Sequence, residues 1–229
     1  DNWTILSGTV ANTHRIVPVM NSSITSPGMI DNIIGVTILD ENDIDVTSNF
    51  SVEEKLWEQY FSYVSKLCKT NIEHFMQYVS LDGWGSQAEY MRHGLDFNLL
   101  WDRVNQFLTE VPSYNSLTFI VTMNNLSVTS LENLFAGILG LRNTYSRTYQ
   151  RVWFDTPVLR EPAWQSLQIL PESYAERLEY LWAWMIRWTE TAEDPFHGFK
   201  DYELARLDRD IAWMRAGQGM DHSAARADF

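Results

Sequence analysis

Along most of the chain, short apolar runs rich in β-branched and aromatic residues alternate with amphipathic stretches of helical period. The run 32–39, Asn-Ile-Ile-Gly-Val-Thr-Ile-Leu, predicts a strand that stops in the acidic, turn-prone segment Asp40 to Asp45, and Ile44 to Ser48 predicts a further short strand. Ser51, with Glu54 three residues later, has the form of a capping box, and Leu56, Tyr60, Val64 and Leu67 fall on one helical face, so 52–69 reads as helix. Phe75 to Ser80 reads as a strand ending in Leu-Asp-Gly, and Leu95 to Leu108 as a second helix with Leu99, Val104 and Leu108 inward. The β-branched run Leu117 to Met123 predicts the next strand, and the stretch from Ser127 or Thr129 to about Arg142 the next helix. Arg151 to Asp155 predicts a third strand of this series, stopped by Pro157.

Strands separated by helices need crossover connections, which implies a largely parallel sheet covered by helices. The fold class is therefore α/β, and parallel neighbours at 75–80, 117–123 and 151–155 should bury Val79, Phe119, Val121, Val152 and Phe154. Beyond Pro162 the strand signal ends. Glu172 to Trp188 and Asp201 to Arg215 read as two helices, the first presenting Leu178, Leu181, Met185 and Trp188 on one face, with Trp182, Trp184 and Trp188 read as packing residues. Three regions follow: a segment 1–44, an α/β unit 45–160 and a helical C-terminal extension 161–229. No internal repeat or low-complexity segment interrupts them.

Composition narrows the function classes. Thirty acidic against seventeen basic residues give a formal net charge of -13, a field of the wrong sign for a phosphate backbone, so neither nucleic acid nor an anionic membrane is an expected partner. The longest apolar stretches are of strand length, shorter than the roughly 18 residues of a membrane span. Cys68, the one cysteine, can form no intramolecular disulfide and cannot alone hold zinc or an iron–sulfur cluster; a reducing, cytoplasmic compartment is the expectation. The first residue is Asp1 where a complete reading frame has Met, which suggests the loss of an N-terminal portion.

Hydrolase, P-loop and zincin signatures are absent, and Gly83-Trp84-Gly85 lacks the third glycine of a dinucleotide fingerprint. Asp40, Glu41, Asp43 and Asp45 lack the glycine and terminal glutamate of an EF-hand loop and read as a solvated acidic turn, and the five histidines have no ligand spacing. More informative are the polar residues at the carboxyl ends of the expected strands, where parallel α/β sheets bind ligands. Thr47-Ser-Asn49 follows one strand, Ser80-Leu-Asp82 the next, Asn124-Asn125 another and Asp155-Thr156 the last. Arg92 adds a guanidinium that could pair bidentately with a ligand carboxylate. The same residues would also serve as helix caps, in Asp82 and Asn49, and as a surface counter-charge, in Arg92.

The motifs Val79-Ser-Leu-Asp-Gly83, Glu89-Tyr-Met-Arg-His-Gly94, Thr118-Phe-Ile-Val-Thr-Met-Asn124 and Arg151-Val-Trp-Phe-Asp-Thr-Pro157 with Leu159-Arg-Glu-Pro162, in this order, resemble the later part of a radical S-adenosylmethionine enzyme of the twitch-domain-containing group. Thr47-Ser-Asn49 resembles the strand-end motif one unit earlier, and the resemblance spans roughly 45–190. It implies a partial (β/α) barrel that holds S-adenosylmethionine on its open face, with Asn49, Ser80, Asp82 and Asn124 near the ribose or amino-acid end of the cofactor and Arg92 on its carboxylate. In the intact family an electron from a four-iron four-sulfur cluster cleaves the cofactor to a 5′-deoxyadenosyl radical, which takes a hydrogen from the substrate, here of unspecified kind, peptide or small molecule.

The family's C-x-x-x-C-x-x-C cluster motif is missing here, as is its Gly-Gly-Glu-Pro motif, of which Leu6 to Ala11 preserves at most Ser7-Gly8. With no cysteine after Cys68, neither the radical-generating cluster nor an auxiliary one is expected on this chain alone. The expectation is a C-terminal fragment of such an enzyme, inactive by itself. The alternative is a non-catalytic α/β binding or scaffold protein that has lost the cluster motif.

Overall fold

A computed structural model describes residues 50–69 and 74–228 and, before residue 50, the backbone of six strands: β1 (Thr4–Leu6), β2 (Thr9–Val10), β3 (Thr13–His14), β4 (Val17–Val19), β5 (Ile33–Ile38) and β6 (Asp43–Ser48). β1 pairs with β4 and β2 with β3, both antiparallel. The chain then alternates: α1 (Glu54–Leu67), β7 (His74–Ser80), α2 (Ser86–Met91), α3 (Phe97–Glu110), β8 (Ser116–Ile120), α4 (Leu131–Tyr145) and β9 (Val152–Asp155). Three helices follow, α5 (Glu172–Thr191), α6 (Asp201–Ala216) and α7 (Ser223–Ala227). The main sheet runs β5-β6-β7-β8-β9, with β5 antiparallel to β6 and every later pair parallel. The α/β expectation holds.

Strand order follows chain order, so each crossover advances the sheet in one direction and right-handed connections lay the helices on one face. The side chains agree. Phe75 of β7 meets Phe107 of α3 at 6.2 Å, Phe119 of β8 stacks on Trp101 of α3 at 5.9 Å, and Phe154 of β9 stacks on Phe135 of α4 at 4.6 Å. Val79, Phe119, Val121, Val152 and Phe154 are fully buried, as the period-2 pattern requires. The opposite face carries His74, Met76, Tyr78, Ile120 and Trp153, all half-buried. There the His74 ring hydrogen-bonds the Ser116 hydroxyl at 2.9 Å, and Thr118 donates to the Met76 sulfur at 3.0 Å.

Several local expectations are corrected. Ser51 does not cap α1; its hydroxyl donates to Gly94 O at 3.3 Å and accepts from Asp96 N–H at 2.9 Å, tying the strand-to-helix loop to the start of α3, while α1 begins beyond Glu53 without a side-chain cap. The buried stripe of α1 is Trp57, Phe61 and Val64, one residue round from the Leu56/Tyr60 line, because the large rings fill the space over Phe50. Asp96 caps α3, and Phe97, Leu100, Val104, Phe107 and Leu108 face inward with Leu99 half-buried. On α5, Leu178, Leu181 and Met185 are buried, whereas Trp188 is 40 % exposed near the helix end.

Three arginines join elements at the core. Arg151 donates to Leu108 O and Val111 O at the carboxyl end of α3 and to Asn115 O; burial lowers its pKa to about 10. Arg103 does the same at the other end of the unit, donating to Phe50 O and Val52 O. Arg142 of α4 is fully buried against Glu203 of α6, itself fully buried, and donates further to Val152 O and Gly198 O. On the outer side of β9, Glu203 accepts from Phe154 N–H at 3.3 Å and Tyr202 donates to Phe154 O at 3.0 Å, so side chains of α4 and α6 meet backbone groups of β9 on its unpaired side.

Candidate functional site

The carboxyl ends of β7 and β8 bring together three of the residues singled out in the sequence. Ser80 closes β7 and is mostly buried; its hydroxyl has no hydrogen-bond partner among the described residues. Two residues on, Asp82 accepts from Thr122 N–H through Oδ1 at 2.8 Å and from Arg92 Nε through Oδ2 at 2.8 Å. Asn124 donates from Nδ2 to Thr122 O at 3.0 Å, while its Oδ1 accepts from Leu126 N–H at 2.9 Å and Ser127 N–H at 3.1 Å. The backbone of Thr122 is therefore held at its N–H by Asp82 and at its carbonyl by Asn124. Sequence reasoning missed Thr122, since a residue contributing only backbone groups has no side-chain signature.

Asp82 is consequently not a helix cap, and Asn124 forms an Asx turn that opens the helical segment before α4. Arg92 follows α2 at a fixed backbone position: its N–H donates to Ala88 O and its carbonyl accepts from Leu95 N–H, both at 3.0 Å. With Nε on Asp82, Nη1 and Nη2 have no partner among the described residues, and the side chain is 28 % exposed against 10 % for Asp82. Asn49 and residues 40–42 of the expected acidic turn lie outside the described residues, whereas the backbone from Asp43 to Asp45 is strand β6 rather than turn.

The turn between Asp82 and α2 is tightly constrained. A Cβ on Gly83 would lie 2.7 Å from both Met91 Cε and Ser130 Oγ, and Gly85 has φ 58°, a left-handed conformation that favours glycine. Trp84 packs edge-on against the stacked pair Phe97, at 4.7 Å, and Trp101, at 4.8 Å, and against Gly137 of α4, where a Cβ would lie 2.3 Å from the indole. Trp84 N–H donates to Ser130 Oγ at 3.2 Å, joining this turn to the start of α4.

At the end of β9, Asp155 pairs with Arg206 of α6 at 3.1 Å, and Arg209 donates to Thr156 O and to Asp210 Oδ1, the latter at 2.7 Å from Nη2. Asp210 is fully buried; its Oδ2 and the Thr156 hydroxyl have no partner at hydrogen-bond distance. Burial pushes the Asp210 carboxyl up from 3.8 to about 6, against the opposing pull of Thr156 and Arg209. A cleft of about 170 Å³ lies between the start of α4 and α5, lined by Val128, Glu132, Arg177, Leu178, Tyr180 and Leu181. It is smaller than the roughly 300–1,000 Å³ usual for a small-molecule pocket.

Cys68 is buried, which raises its thiol to about 12 and keeps it protonated, the wrong form for a metal ligand. Among the described residues, no three His, Cys, Asp or Glu side chains lie together as a metal site, and no helix is long and apolar enough to cross a membrane. No family model, no curated protein and no solved structure matches the chain.

Proposed function

We propose that the chain is the cofactor-binding, C-terminal part of a radical S-adenosylmethionine protein, a partial (β/α) barrel in which the carboxyl edge of β7 and β8 receives the cofactor. The observation that carries this reading is Arg92, held by Asp82 at that edge with its two terminal nitrogens unpartnered among the described residues. In a protein of net charge -13, such a fork fits the carboxylate of a zwitterionic amino-acid ligand. The advance of parallel strands in chain order, with α1, α3 and α4 packed on one face, supports the partial-barrel reading, since the same progression continued round an axis closes a (β/α) barrel.

The fit is selective. Arg92 suits the carboxylate, and the Ser80 hydroxyl is free to meet a polar group of the ligand. Asn124 has both ends of its amide committed to the turn and Asp82 both oxygens to Thr122 and Arg92, so these two shape the edge from behind. For the four-iron four-sulfur cluster the described residues do not fit: the one cysteine is a buried thiol with a raised pKa, and among the described residues no three His, Cys, Asp or Glu side chains lie together. Titration calorimetry with S-adenosylmethionine tests the reading. Saturable binding weakened by Arg92→Ala is expected; no binding, or binding indifferent to Arg92, removes it.

A non-catalytic α/β binding or scaffold protein is the second reading, favoured by the internal commitments of Asp82 and Asn124. It is distinguished by the same titration, since a scaffold has no reason to discriminate S-adenosylmethionine from other small zwitterions.

A further inference from the structure

We infer that Asp82 is a positioning residue that aims the Arg92 guanidinium at a ligand carboxylate without itself touching the ligand. The inference rests on the cofactor reading above and assigns a role within that site. Four observations carry it. Asp82 is nearly buried, and its two oxygens are divided between one backbone amide, Thr122 N–H, and one guanidinium nitrogen, Arg92 Nε, each at 2.8 Å. The contact uses Nε alone and so leaves the Nη1/Nη2 edge, the edge that matches a carboxylate in bidentate pairing, on the more exposed side chain. The Arg92 backbone is pinned on both sides by hydrogen bonds to Ala88 and Leu95, so the remaining freedom lies in side-chain torsions, and the bond to Nε restricts these. Finally, the turn after Asp82 is tied to the start of α4 by the Trp84 N–H, which donates to Ser130 Oγ at 3.2 Å, and Gly83 packs so closely there that a Cβ would lie 2.7 Å from the same oxygen, which limits how the carboxylate can move.

A clamp with only a structural purpose and a positioning residue differ in what they do to a ligand that lacks the carboxylate. S-adenosylmethionine and decarboxylated S-adenosylmethionine share the adenosyl and sulfonium groups, and only the first offers an anion to Arg92. Asp82→Asn keeps an oxygen for Thr122 N–H and removes the charge that holds Nε. Asp82→Glu keeps charge and acceptor but displaces the guanidinium by the length of a methylene; it serves as a second variant should the first fold poorly, with thermal melts recorded on both.

Calorimetric titration of the full chain with both ligands, in the unaltered protein, Asp82→Asn, Asp82→Glu, Arg92→Gln and the Asp82→Asn/Arg92→Gln double variant, tests the inference. For S-adenosylmethionine, each Asp82 variant is expected to weaken binding on the order of tenfold, the scale of a charge-assisted hydrogen bond, and the double variant to bind no worse than Arg92→Gln alone. For the decarboxylated ligand, all five proteins should agree within about twofold. Equal weakening of both ligands by Asp82→Asn would make Asp82 a structural clamp, and multiplying effects in the double variant would make it a direct ligand contact; either overturns the inference while leaving the cofactor reading intact. Failure of the unaltered chain to bind S-adenosylmethionine overturns the cofactor reading and this inference with it.

Discussion

Replacing Asp210 by Asn should make the protein more stable at neutral pH. Asp210 is fully enclosed between α6 and the end of β9, faces Arg209, Thr156 and, at longer range, Asp155, and has its carboxyl raised from 3.8 to about 6, chiefly by burial. A folded-state value above the unfolded one means that the folded chain holds the proton more tightly. The stabilising contribution is therefore complete below about pH 3.8 and is lost as the pH rises through about 6. At about 1.4 kcal/mol per tenfold change in the ionisation constant, the burden at pH 7.5 is on the order of 3 kcal/mol. Asn removes the ionisation, and the favourable pull of Arg209 is already contained in the value of about 6. The expected net gain is therefore up to about 3 kcal/mol at pH 7.5, shrinking towards zero at pH 4. Urea denaturation of both proteins from pH 4 to 8, followed by circular dichroism, measures it. A less stable variant at pH 7.5, or parallel pH profiles for the two proteins, would refute the reasoning.

Breaking the enclosed Arg142–Glu203 pair with Glu203→Gln should cost about 3 to 5 kcal/mol, while the double change Arg142→Met with Glu203→Leu should recover much of that in the same assay, since the partnerless charge is then gone. Gly137→Ala forces its Cβ into the Trp84 ring and should destabilise by about 1 to 3 kcal/mol with a changed near-ultraviolet circular dichroism spectrum. Cys68, buried and with its thiol raised to about 12, should resist a thiol-specific disulfide reagent at pH 8 until urea unfolds the chain.

The α/β architecture was legible because period-2 burial and helical period are local signals: β7 and β8 overlap the expected runs, each beginning one residue earlier and β8 ending at Ile120 rather than Met123, β9 falls within its run, and Phe119 and Phe154 are buried where alternation puts them. What escaped depends on distant partners. Ser51 has the local form of a cap, yet its hydroxyl bonds Gly94 and Asp96, more than forty residues on. Trp188 continues the apolar face of α5, but among the described residues only the Trp184 ring reaches it, 6.0 Å away, and the buried stripe stops at Met185. The short α2 has too few residues for a period to emerge. At the candidate site, strand-end logic selected Ser80, Asp82 and Asn124, whereas the division of Asp82 between Thr122 and Arg92, and the closure of the Asn124 amide on its own turn, follow from how two strand ends meet.

The outer side of β9 has a consequence for the behaviour of the protein at high concentration. A bare edge strand is a template on which a second chain can add by main-chain pairing. Here the Phe154 amide and carbonyl are already taken by Glu203 and Tyr202, and the Val152 carbonyl by Arg142. Because Arg142 and Glu203 also hold each other, stripping α6 away to admit a foreign strand would leave a cation stranded in the interior, a penalty that such pairing would have to overcome. The ion pair thus guards against self-association at this edge, and a variant that releases it should aggregate on warming well before its helices melt.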